Sequence, residues 1–291
     1  MQCRKPIVAG QFYPDDKDEC LSEINTCIEE GAFTGELPQK IVAGIVPHAG
    51  WFFSGSTAAL VYSAIKKQNK HVDTFVIFGA AHRYMNTKPV MYDKGCWETP
   101  LGQILIDEQL AEMVLKTKLT DADSSAHRPE HSIEVQVPFI QYLFPDAKLL
   151  PIIVPPAREA VRLGEAIGDI IGAEKTKAIV CIGSTDLTHY GPGYGFTPVG
   201  IGQGAVEWAD NVNDKQFIDL AAALEPEKLL TNTAENSNAC GPGAAAATIA
   251  VAKKLSREKG VLLLHTNSLK IMLRKMNRTS SESVGYAAIV F

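Results

Sequence analysis

Residues 41–51 read IVAGIVPHAGW, an apolar run (residues 41–46) that ends in a proline, a histidine and a glycine. Uninterrupted apolar, β-branched runs of this length are typical of strands that are covered on both faces of a sheet. Five more runs have the same character, at residues 74–78, 149–154, 178–182, 261–264 and 286–291. The sequence therefore predicts a sheet with buried central strands.

Helical patterns lie between these strands. They cover residues 56–67, 107–116, 158–171 and 243–256, and Asp107 is the expected N-cap of the second helix. Residues 90–106 are extended and rich in turns, which indicates a hairpin. Strands that alternate with helices are typical of a layered α/β protein. We therefore expect a single layered αβα domain over residues 1–291, with a largely parallel or mixed central sheet.

The composition limits the classes of function. Of 291 residues, 46% are hydrophobic and 21% are charged, and the net charge is −5 without any basic run, which argues against a nucleic-acid partner. No apolar run reaches the roughly 20 residues needed to span a membrane. The opening MQCRKPIVAGQFYP lacks the apolar segment of a signal peptide. The six cysteines form no CxxC pair, which favours reduced thiols and a cytoplasmic location over a disulfide framework.

Three histidines follow three predicted strands. His48 comes after residues 41–46, His82 lies in the GAAHR that follows residues 74–78, and His189 lies in the GSTDLTHY that follows residues 178–182. Ligands bind at the carboxyl ends of strands in open α/β sheets. The pattern therefore predicts a site at this edge, where Asp186 and His189 are candidate acid/base groups.

The segment AHRPEHSIEVQ, residues 126–136, carries a second group of polar residues. One interpretation is a helix start near Ser132 with its glutamates on an exposed face. The alternative brings Glu130, His131 and Glu134 into the site as acid/base or supporting groups. The apolar positions between residues 133 and 140 do not form one helical stripe, which favours burial on more than one side.

Cys240 stands in NACGPGAAAA, residues 238–247. Pro242 and the alanines that follow it predict the start of a helix, where the helix dipole favours a thiolate with a lowered pKa. Two histidines and one thiolate would form an open metal site suited to iron, copper or zinc. A metal-free Cys–His–Asp hydrolase would use the same residue types. The spacing in the sequence leaves both possibilities open.

Motifs along the whole chain resemble one known family. The stretches are RKPIVAGQFYP (4–14), PHAGWFFSG (47–55), FGAAH (78–82), WETPLG (97–102), EHSIEVQVPF (130–139), STDLTHYG (184–191), ACGPG (239–243) and SVGYAAIVF (283–291). In this order they resemble the Memo family, whose bacterial and archaeal members are called AmmeMemoRadiSam system protein B. The resemblance implies a fold similar to the LigB-like class III extradiol dioxygenases, which are non-haem iron enzymes.

The resemblance also implies a metal site. The family's metal-binding set of two histidines and a cysteine falls on His48, His82 and Cys240, and its loop residues match Asp186 and His189. One transition-metal ion, iron or copper with zinc as a further possibility, is the implied cofactor. The related dioxygenases use a carboxylate where ACGPG supplies a thiol, so this sequence departs from the usual set for oxygen activation at iron.

The leading hypothesis is a metal-dependent redox protein with an unknown substrate. His189 would be the acid/base group, oriented by Asp186, and His131 would share in catalysis. The remaining pocket residues, expected to contact substrate, are Trp51, Arg83 and Glu130. The resemblance implies AMMECR-type and radical S-adenosylmethionine proteins as partners.

The alternative hypothesis is a non-catalytic module that binds a peptide or partner protein in the same cleft. In that role Arg83 would meet an anionic group of the partner.

Overall fold

The computed structural model describes residues 3–291, in which strands and helices alternate along most of the chain. The strands are β1 Cys3–Arg4, β2 Ala43–Val46, β3 Thr74–Gly79, β4 Val90–Met91, β5 Cys96–Thr99, β6 Gly102–Leu105, β7 Asp121–Ala122, β8 Lys148–Ile153, β9 Ile179–Ser184, β10 His189–Tyr190, β11 Val261–Asn267 and β12 Ser283–Val290. All six predicted strands are present, with ends that shift by at most three residues.

The helices include the four that the sequence predicts. They are α1 Lys17–Glu30, α2 Trp51–Gln68, α3 Glu108–Lys116, α4 Val137–Leu143, α5 Arg158–Ala173, α6 Gln203–Trp208, α7 Lys215–Ala222, α8 Pro226–Asn236, α9 Pro242–Lys254 and α10 Ser268–Met276, and a π-helix spans Ala209–Asp214. Asp107 caps α3 as expected, since its side chain accepts from Leu110 N. Within residues 3–291 no helix is both long enough and apolar enough to cross a bilayer.

The central sheet is mixed, as expected. Strands β2, β9, β3 and β8 are parallel neighbours in that order. Antiparallel β12 extends the sheet beyond β2, and antiparallel β4 extends it beyond β8. Strands β5 and β6 form the expected hairpin, which belongs to a separate three-stranded sheet with β1. The carboxyl ends of β2, β9 and β3 are therefore side by side at one edge.

Helices cover both faces of the central sheet. Gly44 in β2 faces α2, because a β-carbon there would lie 2.6 Å from Val61 Cγ1. Gly183 in β9 faces α9, where a β-carbon would collide with Thr248 and Ala244. Gly44 pairs with Ile182, so the two glycines lie on opposite faces of the sheet. The arrangement is the αβα sandwich that the sequence predicts.

The alanine run of α9 fits a narrow space. Residues 244–247 are completely buried, and α9 packs against the sheet on one side and α5 on the other. Gly164 of α5 lies directly against the carbonyl group of Ala247. Small side chains on both helices permit this close approach, and α9 begins two residues after Cys240. The packing of α5 thus fixes the position of the cysteine.

An ion pair anchors the amino-terminal strand to the segment that carries His131. The Arg4 guanidinium donates to Glu134 Oε2 at 2.6 Å, and both side chains are buried. It also donates to the carbonyl oxygens of His127 at 2.8 Å and Glu130 at 2.7 Å. These bonds hold residues 127–134 in one conformation. Glu134 is therefore a structural residue of the core and does not enter the site.

The structure differs from the expectation of fully reduced cysteines. A disulfide joins Cys3 to Cys96, which are directly opposite in the parallel pair β1–β5. The two cysteines are 93 positions apart in the sequence and meet only through the register of β1 and β5, so no local cysteine motif predicts this disulfide. The free cysteines are Cys20, Cys27, Cys181 and Cys240.

Two glycines of α5 provide a matched test of this packing. Gly164→Ala forces a methyl group against the Ala247 carbonyl, so it should lower the free energy of unfolding by about 1–3 kcal/mol. Gly172 has only Leu255 Cδ2 nearby, at 3.8 Å, so Gly172→Ala should instead be stabilising by up to about 1 kcal/mol through helix propensity. Urea unfolding of the two variants measures both changes, and equal effects would contradict the packing of α5 against α9.

Candidate metal centre

Loops at the carboxyl ends of β2, β9 and β3 converge on one cavity of about 360 Å³. His48 follows β2, Asp186 follows β9 and His82 follows β3, so adjacent parallel strands supply three of the predicted site residues. The full lining is Phe12, His48, Ala49, Gly50, Phe53, His82, His131, Asp186, His189, Tyr194, Ser268, Met272, Ser280, Glu282, Val284 and Tyr286. Five of the nine predicted site residues line this cavity: His48, His82, His131, Asp186 and His189. Cys240 contacts the lining residue His48, and Glu130 contacts the lining residue His82. Trp51 and Arg83 are not among the lining residues.

His48 presents an unprotonated nitrogen to the centre. Its Nδ1 lies 3.0 Å from Ser184 Oγ, and Ser184 Oγ donates its own proton to the carbonyl of Ser132 at 2.7 Å. The hydroxyl is therefore the acceptor from His48 Nδ1–H. This tautomer leaves Nε2 with a lone pair, and Nε2 faces Cys240 Sγ at 3.2 Å. An imidazole fixed in this way by its second nitrogen is typical of metal ligands.

His82 is oriented by Glu130. Its Nδ1 lies 3.0 Å from Glu130 Oε1, and the same carboxylate accepts from Ser132 N at 2.8 Å. Burial opposes ionisation of Glu130, but these contacts prevail and lower its pKa to about 2. Burial likewise opposes protonation of His82, whose pKa is nevertheless raised by the hydrogen bond and charge of Glu130. The pair has the carboxylate–histidine arrangement of many metal sites.

His131 completes a cluster of three imidazoles. Its ring stacks on that of His82, with centroids 4.9 Å apart, and lies 5.5 Å from that of His48. One nitrogen from each ring lies within 4.8 Å of the others. Burial lowers the pKa of both His131 and His48, so both are held in the neutral form that binds metals. His131 is therefore part of the centre.

Cys240 contacts the centre through His48, but its thiol is not activated as the sequence suggests. Burial of the thiol, together with the charge of Asp186, raises its pKa. The expected lowering by the dipole of α9 is wrong, because α9 starts at Pro242 with Gly241 as its cap and the thiol points instead towards His48 and the Asp186 carbonyl. Without a bound cation, Cys240 is therefore a neutral thiol.

Two overlapping sets of donors share His48. One is His48, His82 and His131, and the other is His48, Asp186 and Cys240. Among the residues that the structure describes, no group of donors within 4.8 Å of one another contains both His82 and Cys240. His48 is therefore common to both sets, whereas His82 and Cys240 belong to different ones.

The predicted pairing of Asp186 with His189 takes a different form. Asp186 Oδ1 accepts from the backbone amides of His48 at 2.7 Å and Ala49 at 3.3 Å, and so positions the His48 loop. His189 Nδ1 instead donates to Leu187 O at 3.1 Å. Among the described residues no hydrogen bond joins Asp186 to His189, although the charge of His189 acts on the pKa of Asp186. His189 itself lines the cavity.

The loop that carries His189 is held by a buried polar group behind it. Asp214 accepts from Thr188 N at 3.0 Å and pairs with His265 Nε2 at 2.9 Å. Asp210 of the same π-helix accepts from Asn267 and pairs with Lys270. These acidic groups have protein partners, so their role is to hold the loop in place.

Trp51 and Arg83 do not contact the cavity. Trp51 is buried, donates from Nε1 to Val135 O at 3.0 Å and packs on Phe139. Arg83 is exposed beside His82 and is not a lining residue. The first turn of α2 points Trp51 inward and leaves Phe53 to face the cavity.

Sequence reasoning missed several lining residues. Tyr194, Glu282 and Tyr286 come from the GPGYG and ESVGY stretches, which lack a recognised catalytic pattern. A glycine-rich turn that follows a strand-end histidine was the available signal for Tyr194.

The fold and this cluster define a class: a layered α/β protein with a candidate metal centre at the carboxyl ends of its parallel strands. Within that class, the chain belongs to the family of Memo-like proteins, whose model matches residues 4–290.

Relatives in archaea are similar over almost their whole length. A MEMO1 family protein of Pyrococcus furiosus is 38% identical over 298 residues, which cover 99% of this chain and 98% of the relative. One of Pyrococcus abyssi is 36% identical over 302 residues, with 99% and 98% covered. One of Methanosarcina mazei is 36% identical over 294 residues, with 100% and 99% covered. Their names give the family and no activity.

Removal of the charge behind His82 should weaken metal binding. Glu130→Gln keeps an oxygen that can accept from His82 Nδ1 but loses the negative charge, so we expect an affinity loss of about tenfold. Competition with a chromophoric chelator at pH 7 measures it. Glu98→Gln is the control, because Glu98 of β5 is not a lining residue of the cavity and pairs with Lys5. An unchanged affinity in Glu130→Gln would contradict the role of Glu130.

His127 provides a pH test of the segment behind the site. Burial and the charge of Arg4 lower its pKa from 6.5 to about 3. In the unfolded chain His127 therefore becomes protonated near pH 6.5, whereas in the folded chain it becomes protonated only near pH 3. Stability should fall as the pH drops through this window, by about 1.4 kcal/mol per pH unit for this one proton.

The variant His127→Gln removes that proton, so the free energy of unfolding should fall less steeply between pH 6.5 and 5 than in the unmodified protein. The comparison concerns slopes, so a general loss of stability in the variant does not affect it. Parallel pH profiles would contradict the assignment.

Proposed function

We propose that this protein is a metal-dependent redox protein that holds one iron or copper ion and acts on a small organic molecule. The observation that carries the proposal is the cluster of three imidazoles, two of which are fixed at Nδ1 so that Nε2 points to a common space. Clusters oriented by neighbouring acceptors are typical of metal centres. The donor types, imidazole with a nearby thiol, suit iron, copper or zinc better than magnesium or calcium.

His48 is the first ligand in this proposal, because it belongs to both donor sets. His82 and Cys240 complete the set that the family resemblance implies, and His131 is the alternative third donor. Cys240 needs a cation to lose its proton, since burial keeps the thiol neutral otherwise. A bound iron or copper ion would supply electron transfer and Lewis acidity.

The remaining polar residues would bind and protonate the substrate. His189 Nε2 faces the cavity while Nδ1 is held by Leu187 O, so the ring is set to exchange a proton at Nε2. Tyr194 packs edge-on against His189, with ring centroids 5.2 Å apart, and limits its movement. Aromatic lining reduces access of water to the same space.

Metal content tests this proposal directly. Protein purified without oxygen should contain close to one iron or copper ion per chain, and His48→Ala should reduce it by an order of magnitude or more. His71→Ala is the control, because His71 is exposed and pairs only with Asp73. Elemental analysis provides the measurement. Equal metal content in His48→Ala and the unmodified protein would contradict the proposal that His48 is a metal ligand.

Spectroscopy distinguishes the two candidates for the third ligand. A cysteine ligand on Cu(II) or Fe(III) should give a sulfur-to-metal charge-transfer band that Cys240→Ser abolishes and His131→Gln preserves. A spectrum unchanged in Cys240→Ser would favour the set His48, His82 and His131.

A metal-free cysteine hydrolase is the second candidate, because Cys240 Sγ lies 3.2 Å from His48 Nε2. The partner of His48 Nδ1, however, is the Ser184 hydroxyl, and burial raises the pKa of the thiol. Such a thiol should react slowly with iodoacetamide at pH 7 in metal-free protein. Rapid alkylation that is lost in Cys240→Ser would instead favour the hydrolase.

A further inference from the structure

The outer part of the cavity is built from residues that the metal centre does not use. Phe12, Phe53, Tyr194 and Tyr286 contribute aromatic rings, and Met272 contributes a flexible apolar side chain. Aromatic rings and a thioether pack well against a small ligand whose main part is aromatic or aliphatic. A cavity of about 360 Å³ is large enough for a single-ring molecule.

The outer part of the lining carries an acidic side chain and no permanently charged basic one. Asp186 and Glu282 line the cavity, and among the described lining residues there is no lysine or arginine. Arg83, which the sequence suggested as a partner for an anionic group, is exposed and does not line the cavity. Burial, Glu282 and Asp186 together raise the pKa of Tyr194, as expected where negative charge accumulates. An anionic substituent at the outer end would therefore meet repulsion without a compensating partner.

Glu282 is held in a fixed position. Its Oε1 accepts from Gly193 N at 2.7 Å, and its backbone amide donates to Ser280 Oγ at 3.0 Å. Gly191 and Gly193 both lie against the Glu282 side chain, where a β-carbon at either glycine would collide with it. The glycines of the GPGYG turn thus leave space for this carboxylate and contact it. The same turn places the Tyr194 ring edge-on against the His189 ring.

The second oxygen of Glu282 is free to bind a ligand. Among the residues whose side chains the structure describes, none donates a hydrogen bond to this oxygen, and no lysine, arginine or histidine forms an ion pair with Glu282. A carboxylate that is positioned by one oxygen and open at the other can pair with an ammonium group. Aromatic faces nearby add cation–π attraction.

We propose that this site selects ligands with a metal-binding oxygen or nitrogen at one end, an apolar or aromatic body, and an ammonium group that pairs with Glu282 at the other end. Anionic analogues are excluded. The inference deepens the proposed function, because it assigns the substrate class of the same cavity. The charge preference itself belongs to Glu282 and does not require a metal.

Three para-substituted phenols of similar size test the charge preference: cationic tyramine, neutral 4-ethylphenol and anionic 4-hydroxyphenylacetate. Calorimetric titration of metal-free and of metal-loaded protein at pH 7 gives their affinities. We expect tyramine to bind about tenfold more tightly than 4-hydroxyphenylacetate to metal-free protein, with 4-ethylphenol between them.

The variant Glu282→Gln isolates the charge. Its amide oxygen can still accept from Gly193 N, so the turn stays in place while the charge is lost. Tyramine affinity should fall about threefold, to that of 4-ethylphenol, and 4-ethylphenol affinity should not change. Glu227→Gln, on the first turn of α8 away from the cavity, should leave all three affinities unchanged. Glu282→Lys is the second variant, and it should reverse the order of tyramine and 4-hydroxyphenylacetate.

Two results would overturn the inference. One is equal binding of the ammonium and carboxylate probes to the unmodified protein. The other is an equal loss for all three probes in Glu282→Gln, which would make Glu282 a structural residue only. Metal content is measured separately, so a protein that prefers tyramine but holds no metal would contradict the proposed function alone. A protein that holds metal without the charge preference would contradict this inference alone.

Discussion

Ser132 joins the three loops on which the candidate centre depends. Its hydroxyl accepts from Ala80 N at 3.0 Å, its carbonyl accepts from Ser184 Oγ at 2.7 Å, and its amide donates to Glu130 at 2.8 Å. Through Ser184 it fixes His48, and through Glu130 it fixes His82. A buried network of this kind is rigid only when every member is satisfied, because each unpaired polar group inside costs about 1–3 kcal/mol.

The network in turn depends on the amino terminus of the described chain. Arg4 holds the carbonyls of His127 and Glu130, so β1 determines where the segment 127–134 lies. The Cys3–Cys96 disulfide and the Arg4–Glu134 ion pair fix β1 itself. The positions of the imidazoles therefore depend on the contact between Arg4 and Glu134, two residues that are more than 100 positions apart in the sequence.

The fold and half of the site could be predicted from local patterns. Apolar runs indicated the central strands, and His48 and His82 stood directly after two of them. Predictions failed where the outcome depends on distant partners. Asp186 was assigned to His189 because they are three residues apart, yet its carboxylate binds the amides of His48 and Ala49, which neighbouring β2 brings next to it. Trp51 was assigned to the pocket although the rotation of α2 turns it into the core.

The sequence by itself determined the layered α/β fold, the family, and the edge of the sheet at which the histidines meet. These follow from residue periodicity and from motifs that are local in the chain. Only the tertiary structure decided the charge state of Cys240, the stacking of His131 on His82 and the position of Glu282 on the GPGYG turn. The physical reason is that pKa values and donor geometry depend on burial and on atoms within about 3 to 5 Å, and most of those atoms come from remote parts of the chain.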